Sequence, residues 1–205
     1  MDNLLFVVLL FVLQTIVLYF LSRVVIQELF LFLLRVLRKK SIAYTFLALI
    51  FLPGTAVHEL SHFFAATALF LPVVEVRILP QWRGNELYLG MVSYKKTDFI
   101  RSVIIGIAPF FGACFFYWFF AAFHLFPASS IILNIGMVYL FFAVSSNMFS
   151  SKQDLIDAGY LIPLIAAGLA LYYLIGTPVH ISLPAVLTNS FASILNSISF
   201  YITIA

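Results

Sequence analysis

Charge is what this chain lacks most. Only 9% of its 205 residues are Asp, Glu, Lys or Arg, whereas 64% are apolar, and the mean hydropathy is +1.13. A soluble domain of this length is close to half apolar, so the composition excludes one and points to an integral membrane protein. Strict alternation of apolar and polar residues is also missing from the long apolar runs, which excludes a closed barrel. Helices remain, the other fold that satisfies its own backbone in hydrocarbon. Cysteine is reduced to Cys114, so no intrachain disulfide can form. Lying in an apolar run, it is expected to pack as a small side chain. No long basic run stands apart from the apolar segments, which makes nucleic acid a poor partner, and no internal repeat is visible.

The net charge of +3 matters less than its distribution. Five of the eleven basic residues fall within residues 23–40 (Arg23, Arg35, Arg38, Lys39, Lys40) and five within 77–101 (Arg77, Arg83, Lys95, Lys96, Arg101). Lys152 is the last. Basic residues beside spans favour the cytoplasmic side and anionic lipid. Placing both clusters there needs an even number of crossings between them, so residues 41–71 would have to form a broken, re-entrant element. The orientation stays open.

Residues 4–21 are long enough to span a bilayer. They lack a basic leader and a small-residue cleavage site, and read as a retained helix. Residues 24–37 carry Gln27, Glu28 and Arg35, and either continue that helix or lie along the interface. Residues 41–71 are too long for one straight span and hold Pro53-Gly54 near their middle, where a kink or break is expected. A new helix is expected to start near Thr55, a suitable N-cap. Residues 73–94 change character: two β-rich stretches flank Pro80-Gln81-Trp82-Arg83-Gly84-Asn85, the pattern of a β-hairpin held at the membrane surface by Trp82 and the arginines. Further spans are expected at about residues 102–123, 131–149, 160–176 and 184–204. The expectation is an all-α polytopic membrane protein: one integral domain over residues 1–205, five to six transmembrane helices and a short membrane-associated hairpin.

The chemistry lies in His58-Glu59-Leu60-Ser61-His62, an HExxH pattern inside the apolar stretch. An acid at the centre of a membrane helix costs roughly 2.5 to 3.5 kcal/mol on insertion scales, and a bound metal is the obvious compensation. Positions i and i+4 share a helix face, so His58 and His62 can offer ring nitrogens to one zinc ion, with Glu59 beside it to take a proton from water. A catalytic zinc needs three protein ligands and one open position. Candidates for the third are Asp154 and Asp157, in a polar break between two apolar spans, and then His124 and His180 near span ends. The aspartates are the better pair.

Pro53-Gly54-Thr55-Ala56-Val57-His58-Glu59-Leu60-Ser61-His62 resembles the core of the site-2 protease family of intramembrane zinc metallopeptidases. Asn147-Met148-Phe149-Ser150-Ser151-Lys152-Gln153-Asp154 is similar to the family's aspartate motif, with Ser150 where a proline is usual. Ile156-Asp157-Ala158-Gly159 is a rival alignment, closer to Leu-Asp-Gly but with an inserted alanine. The resemblance spans about residues 51–160, within a catalytic core at about 41–160. It implies a three-helix core, Glu59 as general base, Asp154 (or Asp157) as third ligand, and Asn147 orienting substrate or backbone. Gly106-Ile107-Ala108-Pro109-Phe110-Phe111-Gly112 stands where the family has a Gly-Pro…Asn element, with the asparagine absent. It further implies a membrane-protein substrate, the bilayer as surroundings, a bacterial cytoplasmic membrane as location and, with no soluble sensor domain evident, a regulatory membrane partner or prior cleavage of the substrate. The hairpin would hold an unwound segment by strand addition, or simply plug the helix bundle.

Three other readings compete. His58 and His62 could be a buried polar pair tying helices together. A metal transporter could pass an ion along membrane acids and histidines, but the spans after Ser102 hold none well inside them. An inactive relative could bind membrane proteins through the same cleft.

Overall fold

The computed structural model describes residues 2–83, 86–95, 98–148 and 185–204. Helix α1 (Asp2–Leu37) has no proline or glycine to interrupt it, so residues 24–37 continue the first helix. Its 36 residues reach about 54 Å at 1.5 Å per residue, longer than a hydrocarbon core of about 30 Å. It stops at Arg38, whose φ of 57° closes the last turn while its N–H donates to Leu34 O.

The long apolar stretch divides into α2 (Lys40–Ile50) and α3 (Leu52–Ala68), which meet at 67°. Phe51 is the joint, capping both helices at φ −92° and ψ 4°. The break therefore falls ahead of the proline, and α3 begins three residues before the expected Thr55. The reason is positional. Proline lacks only an N–H that the first turn cannot use, so Pro53 fits inside α3 rather than ending it. Thr55 sits within the helix, its hydroxyl donating to Phe51 O at 3.2 Å.

After α3 the chain forms β1 (Val73–Arg77), β2 (Gln81–Arg83), β3 (Glu86–Tyr88) and β4 (Met91–Tyr94). These make two short antiparallel ladders in place of one continuous hairpin. β1 pairs with β4, from Val73 opposite Tyr94 to Arg77 opposite Met91, and β2 pairs with β3, Trp82 opposite Leu87. Pro80 has no N–H to give a ladder, and the pairing lapses there, between residues 78–80 on one side and 89–90 on the other. Arg77 bridges the gap, paired with Glu75 and donating to Gln81 Oε1 at 2.7 Å. The hairpin turns back along α3: β1 and β4 contact that helix, and Trp82 Nε1 donates to Thr45 Oγ1 of α2 at 3.1 Å.

Three more helices are described: α4 (Phe99–Ala122), α5 (Ile131–Asn147) and α6 (Ala185–Ile204). α3 packs on α4 and α5, α1 on α6 and α2, and α4 on α6. The core lies where α4, α5, α1 and α6 meet, with Tyr117, Phe141, Val144, Ala113, Leu18 and Ile198 buried together. Phe141 collects the aromatic edges of Phe120 and Phe126 at 5.1 and 5.5 Å, and its carbonyl accepts from Tyr117 Oη at 3.2 Å.

The fold is mostly helical. Among the described residues, two helical stretches are long and apolar enough to cross a membrane, Leu9–Leu37 and Phe99–Ala122, and the bent α2–α3 pair would make a third. Large side chains such as Phe111, Phe115, Ile131 and Ile132 point outward, more than half exposed. In water such a surface would be an aggregation liability. Facing lipid it has no such cost. The expected span at residues 160–176 lies outside the described residues.

Candidate metal centre

α3 carries His58, Glu59 and His62 on its inward face, and all three are buried. Small residues let its neighbours come close. A Cβ on Gly54 would overlap the Ala143 carbonyl of α5, and one on Gly112 of α4 would overlap the Ser61 hydroxyl.

Each imidazole is oriented by a main-chain carbonyl. His58 Nδ1 is 2.9 Å from Asn147 O, and His62 Nδ1 is 3.0 Å from Ile105 O. Both acceptors are carbonyls that the helix ladder does not use. Asn147 ends α5, and the last carbonyls of a helix have no partner within it. Ile105 lies inside α4, but Pro109 stands four residues later and has no N–H to return to it. Proline thus leaves an acceptor in mid-helix, and His62 takes it.

These contacts decide the tautomer. A carbonyl only accepts, so both Nδ1 atoms carry hydrogen and donate it. In the neutral rings Nε2 is then an acceptor, and the two Nε2 atoms lie 3.1 Å apart. Two lone pairs brought this close need a positive charge between them, a proton or a metal ion. Zinc fits. At Zn–N distances of 2.0–2.1 Å, tetrahedral ligands sit about 3.3 Å apart. A carbonyl on the remote ring nitrogen is also the usual outer partner of a metal-binding histidine.

Asn147 contributes more than its carbonyl. Its side-chain amide donates to Ala143 O at 2.8 Å and to Phe51 O at 3.4 Å, which ties the end of α5 to the joint that starts α3. Glu59 projects toward the hairpin, where a Cβ on Gly90 would lie 2.6 Å from its Cγ and 2.8 Å from its Oε1.

Among the described residues no group of three His, Cys, Asp or Glu side chains is arranged to hold a metal. Asp154, Asp157 and His180 lie outside the described residues. His124 follows α4 with φ 49°, and its N–H and that of Leu125 close the helix end on Ala121 O and Phe120 O. That is a Schellman-type stop, far along α4 from Ile105. The Ile105 carbonyl went unnoticed in the sequence although its signal was present: a proline inside a helix always leaves the carbonyl four residues earlier without its ladder donor. Gly90 had no such signal, because nothing in its neighbourhood marks an approach to residue 59.

A cavity of about 600 Å³ opens between α3 and α4, lined by Val57, Leu60, Ser61 and Phe64 against Phe111 and Phe115. At 100° per residue these α3 positions face away from His58 and His62, and Leu60 and Phe64 are outward-facing. The cavity lining has no titratable side chain, and His58 and His62 lie on the other face of α3. Comparison of the chain with protein-family models, with curated proteins and with solved structures gives no match, which leaves the geometry of this site to carry its function.

Proposed function

We propose that the chain is an intramembrane zinc metalloprotease that hydrolyses peptide bonds in or near transmembrane segments of membrane proteins. The observation that carries this reading is the convergence of the two Nε2 atoms, each ring held by a carbonyl at Nδ1, beside a buried glutamate on the same helix. His58 and His62 would hold zinc, with Asp154, or Asp157 in its place, as third ligand. Bound there, zinc supplies Lewis-acid polarisation and lowers the pKa of water to about 7. Glu59 is the general base. It accepts a proton as the water oxygen adds to the scissile carbonyl carbon, and returns that proton to the amide nitrogen as the C–N bond breaks. The remaining apolar segments fit the same reading: with α5, α6 and residues 160–176 counted as spans, the chain crosses or enters the bilayer five or six times.

The test is cleavage of a transmembrane peptide reconstituted with the purified protein. Wild type is expected to cut it, and Glu59→Gln, with its zinc intact, is expected not to. A wild type that holds zinc and cuts no member of a broad panel of transmembrane peptides would remove the protease. Loss of zinc from Glu59→Gln would make the glutamate a ligand and favour a metal transporter.

A further inference from the structure

A peptidase base must point at one place, yet glutamate has three rotatable bonds with which to point elsewhere. Glu59 is enclosed, about 9% exposed, so whatever packs on it decides its direction. The hairpin does so with backbone. The ideal Cβ position at Gly90 lies 2.6 Å from Glu59 Cγ, 2.8 Å from Oε1 and 2.9 Å from Cδ, closer than real Cβ atoms approach any neighbour. The approach occurs at the joint where Pro80 interrupts the ladder and residues 89–90 pass between β3 and β4.

We propose that Gly90 is a positioning residue for the reaction proposed above: its missing side chain lets the hairpin backbone seat against the Glu59 carboxylate and hold it on the imidazole side of α3. The assignment rests on the protease reading. It separates two reasons for a glycine, since Gly90 does not adopt the left-handed backbone that glycine favours. An alanine there is unstrained, and only its methyl group acts. That methyl would overlap Glu59 from Cγ to Oε1, so the glutamate side chain must swing from its place to make room.

The test is Gly90→Ala in the full chain, assayed for kcat, KM, zinc content and thermal stability. The expected result is a fall in kcat of roughly a hundred-fold, the scale of loss from a misplacement near 1 Å, with KM and zinc unchanged and the protein still folded. A second arm does not depend on turnover: Glu59→Cys with Gly90→Cys, in a Cys114→Ala background, is expected to form a disulfide on mild oxidation. An unchanged kcat, a loss of zinc alongside activity, or failure of the cysteine pair to link each overturns the proposal. A wild type that cuts nothing overturns the protease reading and this role with it, even where the cysteines link. An active wild type with an equally active Gly90→Ala overturns the Gly90 role alone.

Discussion

His58 and His62 differ from ordinary buried histidines in what their remote nitrogens touch. Each Nδ1–H is committed to a carbonyl, so each ring presents an acceptor toward the other at 3.1 Å. His58→Ala removes one side of that pair, and the purified protein is expected to lose its zinc, measured by elemental analysis. Glu59→Gln keeps the shape of the side chain but cannot take a proton. Cleavage is expected to fall by about a hundred- to ten-thousand-fold, the usual contribution of a general base, with zinc content unchanged. The i, i+4 histidines and the glutamate between them could be seen in the sequence because helix geometry alone puts them on one face. What holds them was only half legible. Pro109 marks the Ile105 carbonyl as lacking its ladder donor. Its pairing with His62, 43 residues away, and that of Asn147 O with His58, 89 residues away, depend on tertiary packing.

Among the elements, α4 and α5 act on the site through their backbones. Pro109→Ala would return an N–H to the Ile105 carbonyl and make His62 share it. Zinc affinity, measured by competition with a chelator, is expected to weaken about ten- to a hundred-fold, as when other outer partners of metal-binding histidines are lost. Helix α4 itself should not suffer, because alanine is the better helix residue. Gly54→Ala acts differently. Its methyl would overlap the Ala143 carbonyl and force α3 from α5, at a cost of about 1–3 kcal/mol, seen as a lower Tm. The elements were partly evident beforehand. Pro53-Gly54 marked the break between α2 and α3, but the break falls at Phe51 because the first turn of a helix accepts proline. The β-rich stretches around Trp82 marked a hairpin, while its division into two ladders depends on Pro80 and its path along α3 on tertiary contacts such as Trp82 with Thr45. The proposed third ligand and the expected span at residues 160–176 fall on residues that the structure does not describe.

For the molecule as a whole, the outward side chains and the inward chemistry are the reverse of a soluble enzyme. Phe6, Phe20, Phe111, Phe115 and Ile132 face outward, while His58, Glu59, His62 and Asn147 are buried. The protein is expected to stay with membranes after alkaline carbonate washing and to leave them only in detergent; release by carbonate would contradict the spans. Burial of two imidazoles and a carboxylate in such surroundings is costly unless a cation compensates them. The most direct test is therefore the zinc content of the detergent-purified, metal-replete protein, wild type beside Glu59→Gln, His58→Ala, Asp154→Ala and Asp157→Ala. The expected result is about one zinc per chain, the stoichiometry of a single catalytic site, kept in Glu59→Gln and lost in His58→Ala and in one of the two aspartate variants. A wild type without zinc would contradict the account and leave His58 and His62 as a buried pair sharing a proton.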